Sequence, residues 1–110
     1  MEFIEYQRKA WTTAKYRNKG NNIYYPTMGL GSEAGEVLGK VKRMMRDQND
    51  DTISIDLRNK IIDELGDCLW YISAIATELN TSLETIAKDN IFKLLDRKER
   101  NVISGEGDVR

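Results

Sequence analysis

Glu33-Ala34-Gly35-Glu36 and Glu64-Leu65-Gly66-Asp67 repeat one arrangement, two carboxylates three residues apart with a glycine between them. In a helix that advances about 100° per residue, a spacing of three sets both acids of a pair on one face. Both pairs interrupt apolar stripes, so their face is one that packs. If the two helices lie side by side, four carboxylates converge in a partly desolvated space, where they cannot all stay ionised without compensation. A divalent cation supplies that compensation. With oxygen ligands alone the metal is hard, Mg²⁺ with Mn²⁺ as a substitute, and it keeps waters and bridges to phosphate oxygens, which suits a triphosphate. The competing reading is a salt-bridged bundle in which Lys40, Lys42, Arg43 and Lys60 neutralise the acids. A glycine inside a helix costs about 1 kcal/mol relative to alanine, and close approach of two backbones is the expected reason for Gly35 and Gly66.

The elements that must position these acids are helical. A stretch over residues 57 to 79 carries Glu64 and Asp67 on a stripe with Ile61, Cys68, Tyr71 and Ile75. Its other side, Ile62, Leu65, Leu69, Ile72, Ala76 and Leu79, is apolar too, and a helix apolar on both sides needs protein on both sides. One small bundle hardly provides that, so a partner chain is expected. A preceding helix over residues 28 to 46, capped by Thr27, aligns Leu30, Val37, Val41 and Met44, with Glu33, Glu36 and Lys40 on the same side. A first helix is expected over residues 2 to 17, with Ile4, Trp11 and Ala14 at helical spacing. Residues 18 to 27 read as a loop in which Pro26 biases Tyr25 toward an extended conformation. Tyr24 and Tyr25 either stack on a base or pack that loop against the helices. The long helix closes at Asn80, and Thr81-Ser82-Leu83-Glu84 has the form of a capping box opening a last helix to residue 99. Asn90, Lys93 and Arg97 follow one flank of it. No strand is convincing, so the fold expected is all-α, a bundle of four main helices.

Composition bounds the function classes. At 110 residues the chain makes one domain, 1–110, with room for a core but little for a deep cleft of its own. Seventeen basic and eighteen acidic residues balance, and no basic-aromatic cluster of the kind single strands require is present, so nucleic acid is not expected as a partner. No apolar run of membrane-spanning length and no signal-like amino terminus appears, which makes a cytoplasmic protein the default. The single cysteine, Cys68, reads as packing rather than nucleophile. The absence of histidine removes histidine-based triads, most zinc sites and the di-iron bundles built on Glu-x-x-His.

GLGSEAGEVLGKVKR followed by IIDELGDCLWYISAIA resembles the MazG-like nucleoside triphosphate pyrophosphohydrolases, in the all-α superfamily that includes dimeric dUTPases and phosphoribosyl-ATP pyrophosphohydrolase. The likeness extends through NIFKLLDRKERNVISGEGD and covers roughly residues 28 to 110. It implies a homodimer or a dimer of dimers in which Glu33, Glu36, Glu64 and Asp67 are the Mg²⁺ ligands and catalytic acids. It also implies that Lys93 and Arg97 meet the triphosphate, that Asn90 is a polar site residue, that Lys60 matches less securely, and that Tyr71 contacts the nucleotide. From its place on the stripe alone, Tyr71 is equally a core residue. The implied reaction is hydrolysis of a nucleoside or deoxynucleoside triphosphate to the monophosphate and pyrophosphate, with Glu36 or Glu33 acting on the attacking water. A dUTPase or a phosphoribosyl-ATP hydrolase would share the acids but not the base pocket. A catalytically silent helical interaction module is the non-enzyme alternative. The tail from residue 105 to 110 reads either as a plain disordered end or, with Gly105, Gly107 and Arg110, as a lid over the nucleotide.

Overall fold

A computed structural model describes residues 1–101, so the two readings of the tail lie outside the described residues. Four helices follow one another: α1 over Phe3–Thr12, α2 over Tyr24–Asp47, α3 over Ile55–Glu78 and α4 over Leu83–Glu99. No strand occurs among the described residues, as the sequence reading required. The helices α2 and α3, each 24 residues long, pack along one another more extensively than any other pair. Across them α1 lies on α3, and α4 packs on α1 and lightly on α3 but makes no contact with α2.

Two boundaries differ from the sequence expectation. The first helix stops at Thr12 rather than near Arg17, because the hydroxyls of Thr12 and Thr13 donate to the carbonyls of Lys9 and Ala10 at 2.6 and 2.7 Å and consume the last turn. The chain then turns through Asn18 and Gly20, both at positive φ, 55° and 94°. The second helix begins at Tyr24, not Met28, and Thr27 is not its cap. Asn22 does that work: its Oδ1 accepts from the backbone N–H groups of Tyr24 and Tyr25, each at 3.1 Å. Tyr25 is therefore helical rather than extended, and Pro26 sits buried in the first turn, where its missing N–H removes no helical hydrogen bond. Thr27 instead donates its hydroxyl to the carbonyl of Ile23 at 2.7 Å.

The later boundaries are closer to expectation. Ser54 caps α3 by accepting from Leu57 N at 3.1 Å. Asn80, at φ 57°, closes that helix, and Thr81 N bonds back to Ala76 O at 2.9 Å. The cap of α4 is Ser82, one residue later than the expected box, since Ser82 Oγ accepts from Thr85 N at 3.0 Å. Gln7 joins three elements at this corner. Its amide donates to Thr77 Oγ1 and Thr81 O, both at 3.0 Å, and its carbonyl accepts from Leu83 N at 2.8 Å, satisfying a first-turn donor of α4.

The core of the single chain is thin. Among the described residues its buried hydrophobic side chains are Ala14, Met44, Ala74, Ala76 and Leu83, beside the buried Pro26. Leu38, Ile62, Leu65, Leu79, Phe92 and Leu95 are exposed, so among the described residues part of the second apolar side of α3 has no cover. The radius of gyration is 17.1 Å, against about 13 Å for a compact domain of about 100 residues.

Candidate functional site

The α2–α3 pair brings three of the four acids together. One carboxylate oxygen from each of Glu33, Glu64 and Asp67 lies within 4.8 Å of the others. Glu33 and Glu64 are half-buried, while Asp67 is exposed. Glu36, one turn along α2 from Glu33, is exposed and stands outside this group. Its charge still bears on Glu33, whose carboxyl is raised above the usual range. The first cause of that shift is the hydrogen bond that a protonated Glu33 makes to Glu64, followed by burial and by the charges of Glu64, Asp67 and Glu36. One oxygen of Glu64, Oε2, is buried without a hydrogen-bond partner. A buried carboxylate oxygen without a donor carries a full desolvation cost.

Of the four cations that could have neutralised the acids, Lys40 reaches one of them: its Nζ lies 3.5 Å from Glu64 Oε1. Lys60 turns instead to Asp56 at 3.0 Å, one turn back on its own helix, and Lys42 and Arg43 are exposed. The salt-bridged reading thus applies to Glu64 and leaves Glu33 and Asp67 crowded.

Beside the acids opens a cleft of about 360 Å³ lined by Thr13, Glu33, Asp67, Trp70 and Tyr71. Trp70 and Tyr71 follow Asp67 by three and four residues, so all three share a face of α3. The Trp70 indole N–H donates to Thr13 Oγ1 at 2.8 Å, fastening the end of α1 to this wall, and the Trp70 and Tyr71 rings meet edge to face at 5.0 Å. Tyr71 lines the cleft half-buried. Burial first, then its hydrogen bond with Tyr25 and the charges of Tyr25, Glu33 and Asp67, push its phenol up. Gly29 on α2 makes that placement possible, because a Cβ there would fall 2.1 Å from Tyr71 Cε1. The same test overturns the expectation for the glycines of the acidic pairs: around Gly35 and Gly66 a Cβ would meet nothing within 4 Å. Among the described residues, nothing approaches those two glycines closely.

Behind Tyr71 the aromatic contacts continue. Tyr25 and Tyr71 lie 6.4 Å apart, and Tyr16 stacks on Tyr25 at 4.9 Å with 18° between the planes. Tyr25 therefore packs against aromatic neighbours on one side while remaining 44% exposed, and Tyr24 is more exposed still. The Tyr16 hydroxyl donates to Glu78, whose carboxylate also accepts from Gly20 N at 3.0 Å and Asn22 N at 3.1 Å. Burial works against the charged form of Glu78, yet these three donors hold its carboxyl below the usual range. Cys68 is half-buried, and burial together with the neighbouring acids pushes its thiol up, which agrees with a packing role.

The α4 residues are not gathered here. Asn90 is exposed, Lys93 half-buried and Arg97 buried, and their helix makes no contact with α2, which carries Glu33 and Glu36. Thr13 and Trp70 are cleft residues that the sequence reading did not single out. The signal for Trp70 was its spacing of three from Asp67, whereas Thr13 depends on where α1 crosses α3.

A profile of the MazG nucleotide pyrophosphohydrolase domain matches residues 27–102. The chain belongs to this family, whose name describes nucleotide pyrophosphohydrolases, and the acidic pairs and every cleft residue except Thr13 lie within the matched region. It is similar to the Gene 37 protein of Mycobacterium phage L5, with 42% identity over 110 aligned positions covering 96% of each chain. No solved structure matches. Among the described residues, no helix is long and apolar enough to cross a membrane.

Proposed function

We propose that this protein hydrolyses a nucleoside or deoxynucleoside triphosphate between the α and β phosphates, releasing monophosphate and pyrophosphate. The observation that carries the reading is the convergence of Glu33, Glu64 and Asp67 at one wall of an aromatic cleft, with an oxygen of Glu64 buried and unpartnered. A donor set of carboxylates with no histidine or thiolate among them fits Mg²⁺, with Mn²⁺ as a substitute. Such an ion would neutralise phosphate oxygens and acidify water. Tyr71 and Trp70 offer the base a flat wall next to the acids, and Tyr71 is held there by Gly29 and Tyr25. In the reaction a water oxygen bonds to the α phosphorus as the bond to the β-phosphate bridging oxygen breaks, and pyrophosphate departs. Glu36, outside the group of three yet within reach of Glu33, accepts the water's proton.

The basic residues of α4 complete the site from a second copy. Within one chain α4 does not touch α2, while Leu38, Ile62, Leu65 and Phe92 leave an apolar surface that association would cover. Lys93 and Asn90 of one subunit then face the phosphates held by another, in a homodimer or a dimer of dimers, while Arg97, buried in its own chain, lies one turn beyond Lys93 on the same helix. The test is a panel of ribo- and deoxyribonucleoside triphosphates with Mg²⁺, assayed for pyrophosphate. Pyrophosphate and monophosphate in equal amounts from at least one substrate, lost on chelation, support the reading. Release of orthophosphate, or no turnover across the panel, overturns it.

A further inference from the structure

Among the described residues, Lys40 is the positive charge that pairs with one of the gathered acids, and none of the roles so far accounts for it. It stands on α2, seven residues beyond Glu33 and four beyond Glu36, on the face they share, and it reaches across to α3. Its ammonium lies 3.5 Å from Glu64 Oε1, and the two side chains retain only 20% and 17% of their exposure. The other oxygen of Glu64 is buried, and besides Lys40 the group that bonds this carboxylate is Glu33, an acid that has to hold a proton to donate. A single ammonium thus satisfies half of a carboxylate in a site that gathers three of them. The chemistry of that carboxylate set fits a dication, and an ammonium and a dication on one carboxylate repel each other. Lysine is also the cation best suited to leave, a point charge on a four-carbon stem with freely turning donors and no fork to hold its partner.

We infer that Lys40 is an exchangeable counterion: it occupies Glu64 when no divalent cation is bound, leaves when one binds, and then donates to the phosphates of the substrate. This positioning role rests on the proposed cation-dependent hydrolysis. In the cation-free protein Lys40 offsets part of the repulsion among Glu33, Glu64 and Asp67, so the α2–α3 contact survives without metal. Once released, its ammonium stays tethered two turns from Glu33 at the rim of the acid group. Phosphate oxygens brought there come within its reach. The exchange also sets a threshold, since a cation has to outcompete an intramolecular ammonium for Glu64.

The test uses the full chain and Mn²⁺ without nucleotide. In Lys40→Met the competitor is gone, so the Mn²⁺ dissociation constant measured by titration calorimetry should fall about threefold to tenfold, the scale of a partly exposed ion pair. The cation-free Tm should fall, and the rise in Tm produced by Mn²⁺ should grow. Lys40→Arg, which keeps the charge, should bind Mn²⁺ no more tightly than the wild type. A measurement on the wild type guards against misfolded variants: acylation of Lys40, followed by peptide mass spectrometry, should be slow without Mn²⁺ and faster with it. If the wild type binds Mn²⁺ but Lys40→Met binds it equally or more weakly, or if Mn²⁺ leaves Lys40 acylation unchanged or slower, the exchange is wrong and the proposed hydrolysis stands. If the wild type binds no Mn²⁺, both fall.

Discussion

Gly29→Ala isolates the contact that sets the cleft wall. An alanine Cβ at this position would lie 2.1, 2.4 and 2.5 Å from Tyr71 Cε1, Cζ and Cδ1. Carbon atoms pack at about 3.5 Å or more, so the ring has to retreat by more than an ångström. Trp70 meets it edge-on at 5.0 Å and Tyr25 lies 6.4 Å away, so the retreat disturbs both neighbours. Overpacking of this kind costs about 1–3 kcal/mol, while replacing a helical glycine by alanine returns about 1 kcal/mol. The expected net loss is about 1 kcal/mol, which lowers Tm by about 4–8 °C in a domain of this size. Thermal unfolding followed by circular dichroism measures it, and a cycle with Tyr71→Ala identifies the cause. With the ring removed, Gly29→Ala should become stabilising by about 1 kcal/mol, giving a coupling of about 2 kcal/mol between the two positions. Gly29→Ala that stabilises both backgrounds equally would refute the packing argument. Loss of the wall should also raise KM for the best nucleotide.

Glu33 has a raised carboxyl, so the folded state holds that proton more tightly than the unfolded chain, and the stability gained at low pH is lost as pH rises through the folded value. Glu33→Gln should therefore raise the Tm of cation-free protein at pH 7 while weakening Mn²⁺ binding, and a lowered Tm would contradict the crowding of the acids. Glu78 is the opposite case. Its depressed carboxyl contributes stability above the ordinary value of 4.5 that disappears as pH falls through the folded value. Glu78→Gln should cost about 1–2 kcal/mol at pH 7, discounted for partial exposure, and the gap to wild type in a pH series of Tm should close in acid; a gap independent of pH would exclude the charge. Leu65 is 54% exposed in the single chain, where Leu65→Glu would change stability by at most about 0.5 kcal/mol. If a second copy covers it, sedimentation velocity should show dissociation, and an unchanged multimer would move the interface elsewhere.

The all-α fold and the placing of each acidic pair on one face of its helix were legible because both follow from spacing within single helices, whereas the meeting of Glu33 with Glu64 and Asp67 was an expectation conditional on α2 packing beside α3. What was not legible depends on contacts between elements. The start of α2 was misplaced by four residues because its cap is a side chain two residues upstream, Asn22, while the nearer Thr27 looked like the usual signal. The end of α1 hinged on two threonine hydroxyls that any helical-periodicity argument ignores. The glycines illustrate the same limit. Sequence position drew attention to Gly35 and Gly66 inside the acidic pairs, yet the close approach belongs to Gly29, whose partner Tyr71 lies on another helix. Thr13 became part of the cleft only through the Trp70 indole. The separation of α4 from α2 could not have been read from either helix alone.

The bond from the Trp70 indole to Thr13, at the edge of the cleft, has an optical consequence. Indole emission responds to the polarity around the ring and to electron-accepting neighbours. The second indole, Trp11, sits against Tyr16 and beneath the Lys19 ammonium, on the far side of the tyrosines. The chain therefore carries one indole at the cleft and another away from it. Trp11→Phe leaves a single indole, excited selectively over the five tyrosines at the red edge, whose wavelength and quenching report on what enters between Glu33 and Tyr71, with no label attached.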